Sequence, residues 1–167
     1  MRNLIFTLAL LVVTQFSFSQ TGWNQQATNV TTSFLVACHC NDANNGWAVG
    51  LSGTIVHTSD GGSNWAQQSV MSVAELWDVQ FLDNNTGWIV GSGPTLLATS
   101  DGGMNWNNSG MFPPFFNSGL LGVSFVDANM GWACGIAGAI VNTTDGGANW
   151  TEQSSSSTNN LNDIIFI

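Results

Sequence analysis

Residues 100–106 read Ser-Asp-Gly-Gly-Met-Asn-Trp, and this stretch decides the fold because it occurs three times in the chain. The other two copies are Ser59–Trp65 and Thr144–Trp150. Successive aspartates of the three copies are 41 and 44 residues apart (101 − 60 and 145 − 101). A repeat of this length is typical of solenoids, propellers and arrays.

Each copy predicts a tight hairpin turn. An Asp carboxylate accepts hydrogen bonds from backbone N–H groups of its own turn, and the two Gly adopt positive φ without a Cβ clash. We expect the hydroxyl of the Ser or Thr before the Asp to add a second side-chain bond, and the Trp to be buried on the return strand. The residues predicted to build these turns are Ser59, Asp60, Gly61, Gly62, Trp65, Ser100, Asp101, Gly102, Gly103, Trp106, Thr144, Asp145, Gly146, Gly147 and Trp150.

A strand pattern surrounds each turn. In the second repeat, residues 76–82, 87–91, 95–100 and 105–109 are short runs separated by Gly, Asn and Asp. The first run alternates apolar and polar side chains, as a half-buried strand does. A Gly-Trp-x-x-Gly strand precedes every turn, at 46–50, 87–91 and 131–135. Four antiparallel strands in 41 to 44 residues match the size of a propeller blade.

The repeated motif Ser/Thr-Asp-Gly-Gly-x-Asn-Trp is identified as the Asp-box, or BNR repeat. Together with the Gly-Trp strands it resembles the photosystem II assembly and stability factor-like family. The resemblance implies an all-β fold of propeller blades, about three and a half of them in this chain. Sialidases and some glycoside hydrolases also carry Asp-boxes, so the motif predicts a fold rather than an activity.

The first 19 residues are predicted to be a signal peptide. Met1–Asn3 carries the only Arg, residues 4–13 are apolar apart from Thr7, and Ser17–Ser19 is a small-x-small cleavage site. Cleavage there leaves Gln20 as the first residue. We therefore expect a secreted, periplasmic or cell-surface protein.

Residues 20–167 are predicted to form a partial propeller. The blades are expected at 33–68, 74–109 and 118–153, with single strands at 22–27 and 161–167. The N-terminal strand is inferred from Trp23, which lies 42 residues before Trp65 (65 − 23). Because both ends are single strands of a blade, the chain is expected to be a fragment whose reading frame continues with Asp at 168 and Gly-Trp at 172–173.

Charge excludes two classes of partner. The chain has 10 acidic residues and one basic residue, Arg2, so the predicted mature chain carries −10 (0 − 10). Such a surface repels phosphate backbones and anionic headgroups, and neither nucleic acid nor an anionic membrane is expected to bind. The family resemblance implies a partner held by a basic patch, and no Lys or Arg follows residue 2.

Residues 38–40, Cys-His-Cys, resemble a metal cluster at first sight. In the repeat alignment, however, both thiols of this stretch match core positions, those of Val79 and Phe81 in the next repeat. Cys134 matches Val90 and is also predicted to be in the core. A zinc site needs about four convergent ligands, so no metal and no cofactor is predicted. Three Cys is an odd count, so no disulfide framework is specified either.

No catalytic residue is predicted. Six aspartates repeat with the turns, in the Asp-boxes and in the turns joining the first two strands of each blade. Asp78 and Asp163 match each other in register and line a predicted channel, but a glycosidase needs two carboxylates flanking one bond. A sialidase would need a Tyr nucleophile and an arginine cluster, and the chain has no Tyr and one Arg.

One connection between blades differs from the others. The distance from the Asp-box Trp to the next blade's first Leu is 11, 14 and 11 residues (76 − 65, 120 − 106 and 161 − 150). The three extra residues lie in 109–119. This segment is a candidate ligand loop carrying Met111, Phe112, Phe115 and Phe116, and the alternative is that its rings tuck between the blades.

The function predicted is an exported, non-enzymatic propeller scaffold that binds a protein or a glycan. The alternative is a part of a carbohydrate-active enzyme of the glycoside hydrolase type, with its catalytic residues outside this segment. The absence of a nucleophile with an adjacent base in the sequence favours the binding module over the enzyme.

Overall fold

The structure is a computed structural model that describes residues 30–70, 74–114 and 116–166. The predicted signal peptide, the predicted strand at 22–27 and Phe115 lie outside these residues. Across the described ranges, no helix is both long enough and apolar enough to cross a bilayer.

The described residues form three antiparallel four-stranded sheets, each with its strands in chain order. The first sheet holds β1 (Leu35–Cys40), β2 (Gly46–Gly50), β3 (Ile55–Thr58) and β4 (Ala66–Gln68). The second holds β5 (Leu76–Phe81), β6 (Gly87–Gly91), β7 (Leu96–Thr99) and β8 (Asn107–Asn108). The third holds β9 (Leu120–Phe125), β10 (Gly131–Gly135), β11 (Ile140–Thr143) and β12 (Thr151–Gln153). The predicted all-β class with propeller blades is confirmed.

In the second and third sheets, the glycine before the Trp of the second strand makes room for an aromatic ring. A Cβ placed on Gly87 would lie 2.6 Å from the ring of Phe81, its cross-strand partner, and Gly131 has the same relation to Phe125. The phenyl ring therefore lies over the glycine rather than beside a side chain. This places the ring where the neighbouring blade can reach it.

Tryptophans join successive blades. Trp47 of the first sheet stacks on Phe81 of the second, with ring centroids 3.6 Å apart, and Phe81 meets Trp106 edge-on at 5.8 Å. The next interface repeats this arrangement, with Trp88 on Phe125 at 3.6 Å and Phe125 against Trp150 at 6.0 Å. These four indoles are buried. Such ring pairs contribute roughly 0.5–1.5 kcal/mol beyond the area they bury.

Side chains of the first strands also bridge the blades. The Gln80 amide accepts from Phe125 N at 2.6 Å and donates to Phe125 O at 3.2 Å. Ser124 Oγ accepts from Phe166 N at 3.1 Å in the corresponding place of the third sheet. In the described part of the chain, the first strands of adjacent blades belong to separate sheets and form no ladder with each other. The side chains of Gln80 and Ser124 make hydrogen bonds to the neighbouring backbone instead.

The segment predicted as a strand at 161–167 does not form one in its described part, 161–166. Its register is nevertheless the predicted one, since Phe166 stacks on Trp132 at 4.1 Å, as Phe81 does on Trp47. Leu161 N donates to Gly135 O at 3.0 Å. A blade's first strand is held by ladder bonds to its second strand, and the residues that the structure describes contain no second strand for this segment.

The prediction that Cys38 and Cys40 lie in the core is wrong. Both side chains are exposed, whereas Cys134 is buried as predicted. Val36, on the same face of β1, is 52% exposed. In the other two sheets this face is covered by the Trp of the preceding blade. Among the described residues, no blade precedes the first sheet.

Candidate functional site

Each Asp-box turn is closed by its aspartate. In the second sheet, Asp101 Oδ1 accepts from Asn105 N at 2.9 Å and Oδ2 accepts from Asn105 Nδ2 at 2.8 Å. Gly102 and Gly103 adopt φ of 72° and 86°, values that L side chains rarely take. Asp60 and Asp145 make the same two bonds in their own sheets. Both carboxylate oxygens therefore accept hydrogen bonds from their own turn.

The hydroxyl that completes the turn is not the predicted one. It belongs to Thr99, two residues before Asp101, rather than to Ser100. Thr99 Oγ1 donates to Asp101 Oδ1 at 2.8 Å and accepts from Gly103 N at 2.9 Å. Thr58 and Thr143 do the same in the other sheets. The sequence carries this signal, because Thr recurs at all three positions, while the residue before the Asp varies between Ser and Thr.

The Asp-boxes share one face of the molecule with a second set of acidic turns. Asp83, in the turn from β5 to β6, accepts from Asn85 N and Thr86 N, both at 2.7 Å. Asn85 O in turn accepts from Gly102 N of the Asp-box at 2.9 Å. Corresponding turn-to-turn bonds form in the first and third sheets. We call this surface the turn face, and its carboxylates are Asp42, Asp60, Asp83, Asp101, Asp127 and Asp145.

These six carboxylates stay ionised over a wide pH range. Hydrogen bonds from neighbouring amides lower the pKa of every one of them. Asn105 lowers the pKa of Asp101 most, first through its side chain and then through its backbone. The turn face therefore carries concentrated negative charge. The oxygens of each carboxylate accept hydrogen bonds that stabilise a turn, and no two of these six carboxylates are arranged as an acid–base pair.

Asp78 is the one carboxyl of the described residues whose pKa is raised. Burial is the main cause, and the nearby Asp163 adds to it, so that the pKa rises to about 6. Asp78 Oδ2 accepts from Val123 N of the third sheet at 2.9 Å, and Oδ1 accepts from Val79 N at 2.9 Å. Its oxygens thus bridge two blades, which gives the predicted channel residue a structural role.

Thiols and imidazoles do not converge. Across the described ranges, no group of three or more His, Cys, Asp or Glu is placed to hold a metal ion. The ring of His57 stacks on Trp47 at 4.7 Å, and burial lowers its pKa. Burial raises the pKa of the Cys134 thiol to about 11, and Sγ donates to Leu161 O at 3.3 Å. Cys134 is therefore protonated near neutral pH.

The candidate ligand loop is divided between exposed and packed residues. Met111 is 73% exposed, and its backbone bonds to Ala148 O and Trp150 N of the next Asp-box turn, both at 3.0 Å. Phe112 and Phe116 stack on each other at 4.9 Å and pack against the core between the second and third sheets. These two rings thus lie where the alternative placed them, whereas the side chain of Met111 is exposed to solvent.

A cleft of about 310 Å³ opens between the second and third sheets, beside the turn face. Trp88, Asn107, Asn108, Ser109 and Gly146 are among the residues that line it. Of these residues, only Ser109 lies in a segment that the sequence marks as a candidate ligand loop, because the cleft depends on how two sheets pack and not on a motif within one of them.

Comparison with known proteins identifies relatives of this architecture. A family model described as photosynthesis system II assembly factor YCF48 matches residues 15–109. These 95 residues (109 − 15 + 1) are more than half of the 167-residue chain. No curated protein matches significantly.

Solved structures show the same fold. The chain is 29% identical to a YCF48 bound to a D1 peptide, with a TM-score of 0.69, over 77% of this chain and 42% of that one. It is 28% identical to YCF48 from Cyanidioschyzon merolae, with a TM-score of 0.67 over the same shares of 77% and 42%. An ancestral GH74 enzyme matches at 14% identity and a TM-score of 0.64, covering 78% of this chain and 20% of that one, which shows likeness of fold alone. The chain thus spans 42% of the length of these YCF48 structures.

Proposed function

The chain belongs to the photosynthesis system II assembly factor YCF48 family, and from this membership we propose that it is a non-catalytic module that binds a segment of a partner protein. The observation that carries the proposal is the YCF48 structure with a D1 peptide bound, to which 77% of this chain aligns at 29% identity. Binding of a peptide by such a fold needs no chemical step.

The local chemistry supports binding rather than catalysis. The six aspartates of the turn face accept hydrogen bonds within their own turns. Both carboxylate oxygens of Asp78 accept hydrogen bonds from backbone N–H groups. These carboxylates are bound to the fold, whereas a general acid or base must be within reach of a substrate proton.

We propose that the partner segment is neutral or basic. The chain beyond Arg2 has no Lys or Arg and 10 acidic residues. A negative surface repels an acidic segment, and it speeds encounter with a basic one through long-range attraction. Salt should therefore slow association more than it speeds dissociation.

We further propose that the protein is exported and that its signal peptide is removed after Ser19. The support is the short apolar run of residues 4–13 with a small-x-small site after it. N-terminal sequencing of the protein recovered from outside the cytoplasm should begin at Gln20. Recovery of full-length protein from the cytoplasm would contradict this proposal.

The binding function can be tested on the exported protein without knowledge of the partner. A phage-displayed peptide library and a glycan array would be screened in parallel, and reducing-sugar release would be measured on the arrayed glycans. We expect enrichment of peptides that contain few Asp and Glu, with binding that weakens as ionic strength rises. Binding of glycans alone, or release of reducing sugar, would favour the carbohydrate-active alternative.

A further inference from the structure

The cleft between the second and third sheets has a filled counterpart in the same molecule. At the interface of the first and second sheets, Gln68 at the end of β4 places its carboxamide against the Asp-box of the next blade. Gln68 Nε2 donates to Gly102 O at 2.8 Å, and Oε1 accepts from Trp106 Nε1 at 3.2 Å. Beside it, the ring of His57 covers Trp47. A carboxamide and an imidazole thus fill this interface.

Two smaller residues stand at the corresponding places of the next interface. Ser109 follows Trp106 by three residues, as Gln68 follows Trp65. Ala98 pairs with Trp88 across the strands, as His57 pairs with Trp47. Ala98 and Ser109 both line the cleft of about 310 Å³. Trp150 Nε1, the counterpart of the Trp106 N–H that binds Gln68, donates to Gly147 O at 3.0 Å instead.

The cleft keeps the acceptor that Gln68 uses in the filled interface. Gly102 O accepts both from Trp47 Nε1 at 3.2 Å and from the Gln68 amide. Its counterpart, Gly146 O, accepts from Trp88 Nε1 at 3.0 Å, whereas the hydroxyl of Ser109 donates to Gly147 O instead. A carbonyl oxygen accepts two hydrogen bonds. Trp88 Nε1 uses one acceptor position of Gly146 O, and Gly146 lies in the lining of the cleft.

We propose that this cleft binds the side-chain carboxamide of a Gln or Asn in the partner segment. The proposal rests on the proposed function and deepens it by naming the side chain that is recognised. The amide nitrogen donates to Gly146 O as Gln68 does to Gly102 O, and the amide oxygen accepts from the polar rim, where Asn107 and Asn108 carry amide donors. The planar amide lies against the edge of Trp88, which is 2% exposed.

Charge argues against a carboxylate in the same place. A Glu side chain is isosteric with Gln but has no hydrogen to donate to Gly146 O. It would also approach Asp145 and Asp127, whose pKa values are lowered by hydrogen bonds so that both are ionised. A site built to bond an amide rejects a group that lacks the donor, because a buried acceptor then stays unpaired.

The direct test measures the indole N–H signals of Trp88 and Trp150 by two-dimensional NMR during titration of the exported protein. The probes are the N-acetyl, N-methylamide derivatives of Gln, Glu and Lys, at high millimolar concentration because a single side chain binds weakly. We expect saturable shifts with the Gln derivative and smaller ones with the other two. Equal or larger shifts with Glu or Lys, or none with Gln, would overturn the proposal.

Two reciprocal variants provide the matched control. Ser109→Gln supplies the chain's own carboxamide to Gly146 O, so the Gln probe should lose at least about tenfold in affinity, as expected for one hydrogen bond. Gln68→Ser opens the corresponding space in the first interface, and the probe should then also shift the signals of Trp47 and Trp106. Near-ultraviolet circular dichroism verifies that both variants are folded. An unchanged titration of Ser109→Gln would refute the site.

The same variant separates this proposal from the function on which it rests. If peptides selected from the library bind the wild type and Ser109→Gln equally well, the protein binds peptides elsewhere and the carboxamide site is wrong. If the Gln probe titrates as expected but the library yields no binder, the cleft is a carboxamide site and the proposed peptide-binding function is wrong.

Discussion

Replacing Thr99 with Val tests whether a buried hydroxyl holds the Asp-box turn together. Valine has nearly the shape of threonine, so the change removes the hydroxyl and little else. Thr99 is 4% exposed, and its hydroxyl accepts a hydrogen bond from Gly103 N at 2.9 Å. Gly103 is buried as well. After the substitution, this N–H has no acceptor and no access to water. Asp101, which also loses a bond, is exposed enough to be solvated instead.

The expected cost follows from that asymmetry. A buried donor left without a partner costs about 1–3 kcal/mol, whereas the exposed carboxylate recovers most of its bond from water. For a domain of this size, 1 kcal/mol corresponds to roughly 2–4 °C in Tm. Thr99→Val should therefore lower the Tm by about 4–8 °C for a mid-range cost of ~2 kcal/mol.

Urea unfolding followed by tryptophan fluorescence measures this difference, and an unchanged m-value would show that the unfolded ensemble is the same. Thr99→Ser keeps the hydroxyl and loses one methyl group, which is worth ~0.8 kcal/mol. Ser100→Ala removes the neighbouring exposed hydroxyl and should change stability by less than about 0.5 kcal/mol. If Thr99→Val were no less stable than Ser100→Ala, the hydroxyl would have no role in the turn.

Three further predictions concern the blade interfaces. Burial raises the pKa of Asp78 to about 6 from 3.8, so its contribution to stability is fully present below pH ~4 and is lost as the pH rises through about 6. Asp78→Asn should remove up to ~3 kcal/mol of this pH dependence. A variant whose stability changes between pH 4 and 7 as much as that of the wild type would contradict the prediction. Trp88→Ala should cost about 3–5 kcal/mol in chemical denaturation because its stack on Phe125 is lost, and a cost below ~1 kcal/mol would show that the blades are not joined through this ring. Met111→Ser should leave the Tm unchanged while Phe112→Ser lowers it, because the first side chain is exposed and the second packs on the core; equal Tm values would contradict that assignment.

The sequence alone determined the turns, the strands and the class of fold. Its strongest signals are local, because the side-chain hydrogen bonds that close the Asp-box join residues at most four apart in the chain. Asp101 bonds to Asn105 and the two glycines between them take positive φ, as their identities require. The alternation in residues 76–82 and the recurrence of Trp likewise reflect a strand with one buried face. The Thr repeated at 58, 99 and 143 carries the same kind of signal, although its bond to the Asp passes over the residue between them.

Only the tertiary structure decided which faces are covered and which are open. Cys38 and Val79 share a register position, yet one is exposed and the other is buried, because a strand's own sequence does not specify whether a blade lies over it. The cleft arises in the same way. A serine at 109 and an alanine at 98 are unremarkable in the chain, and they open a cavity only because Trp88 and the next Asp-box meet there. Packing between blades depends on pairs of residues far apart in sequence, and such pairs come together only when the sheets are assembled side by side.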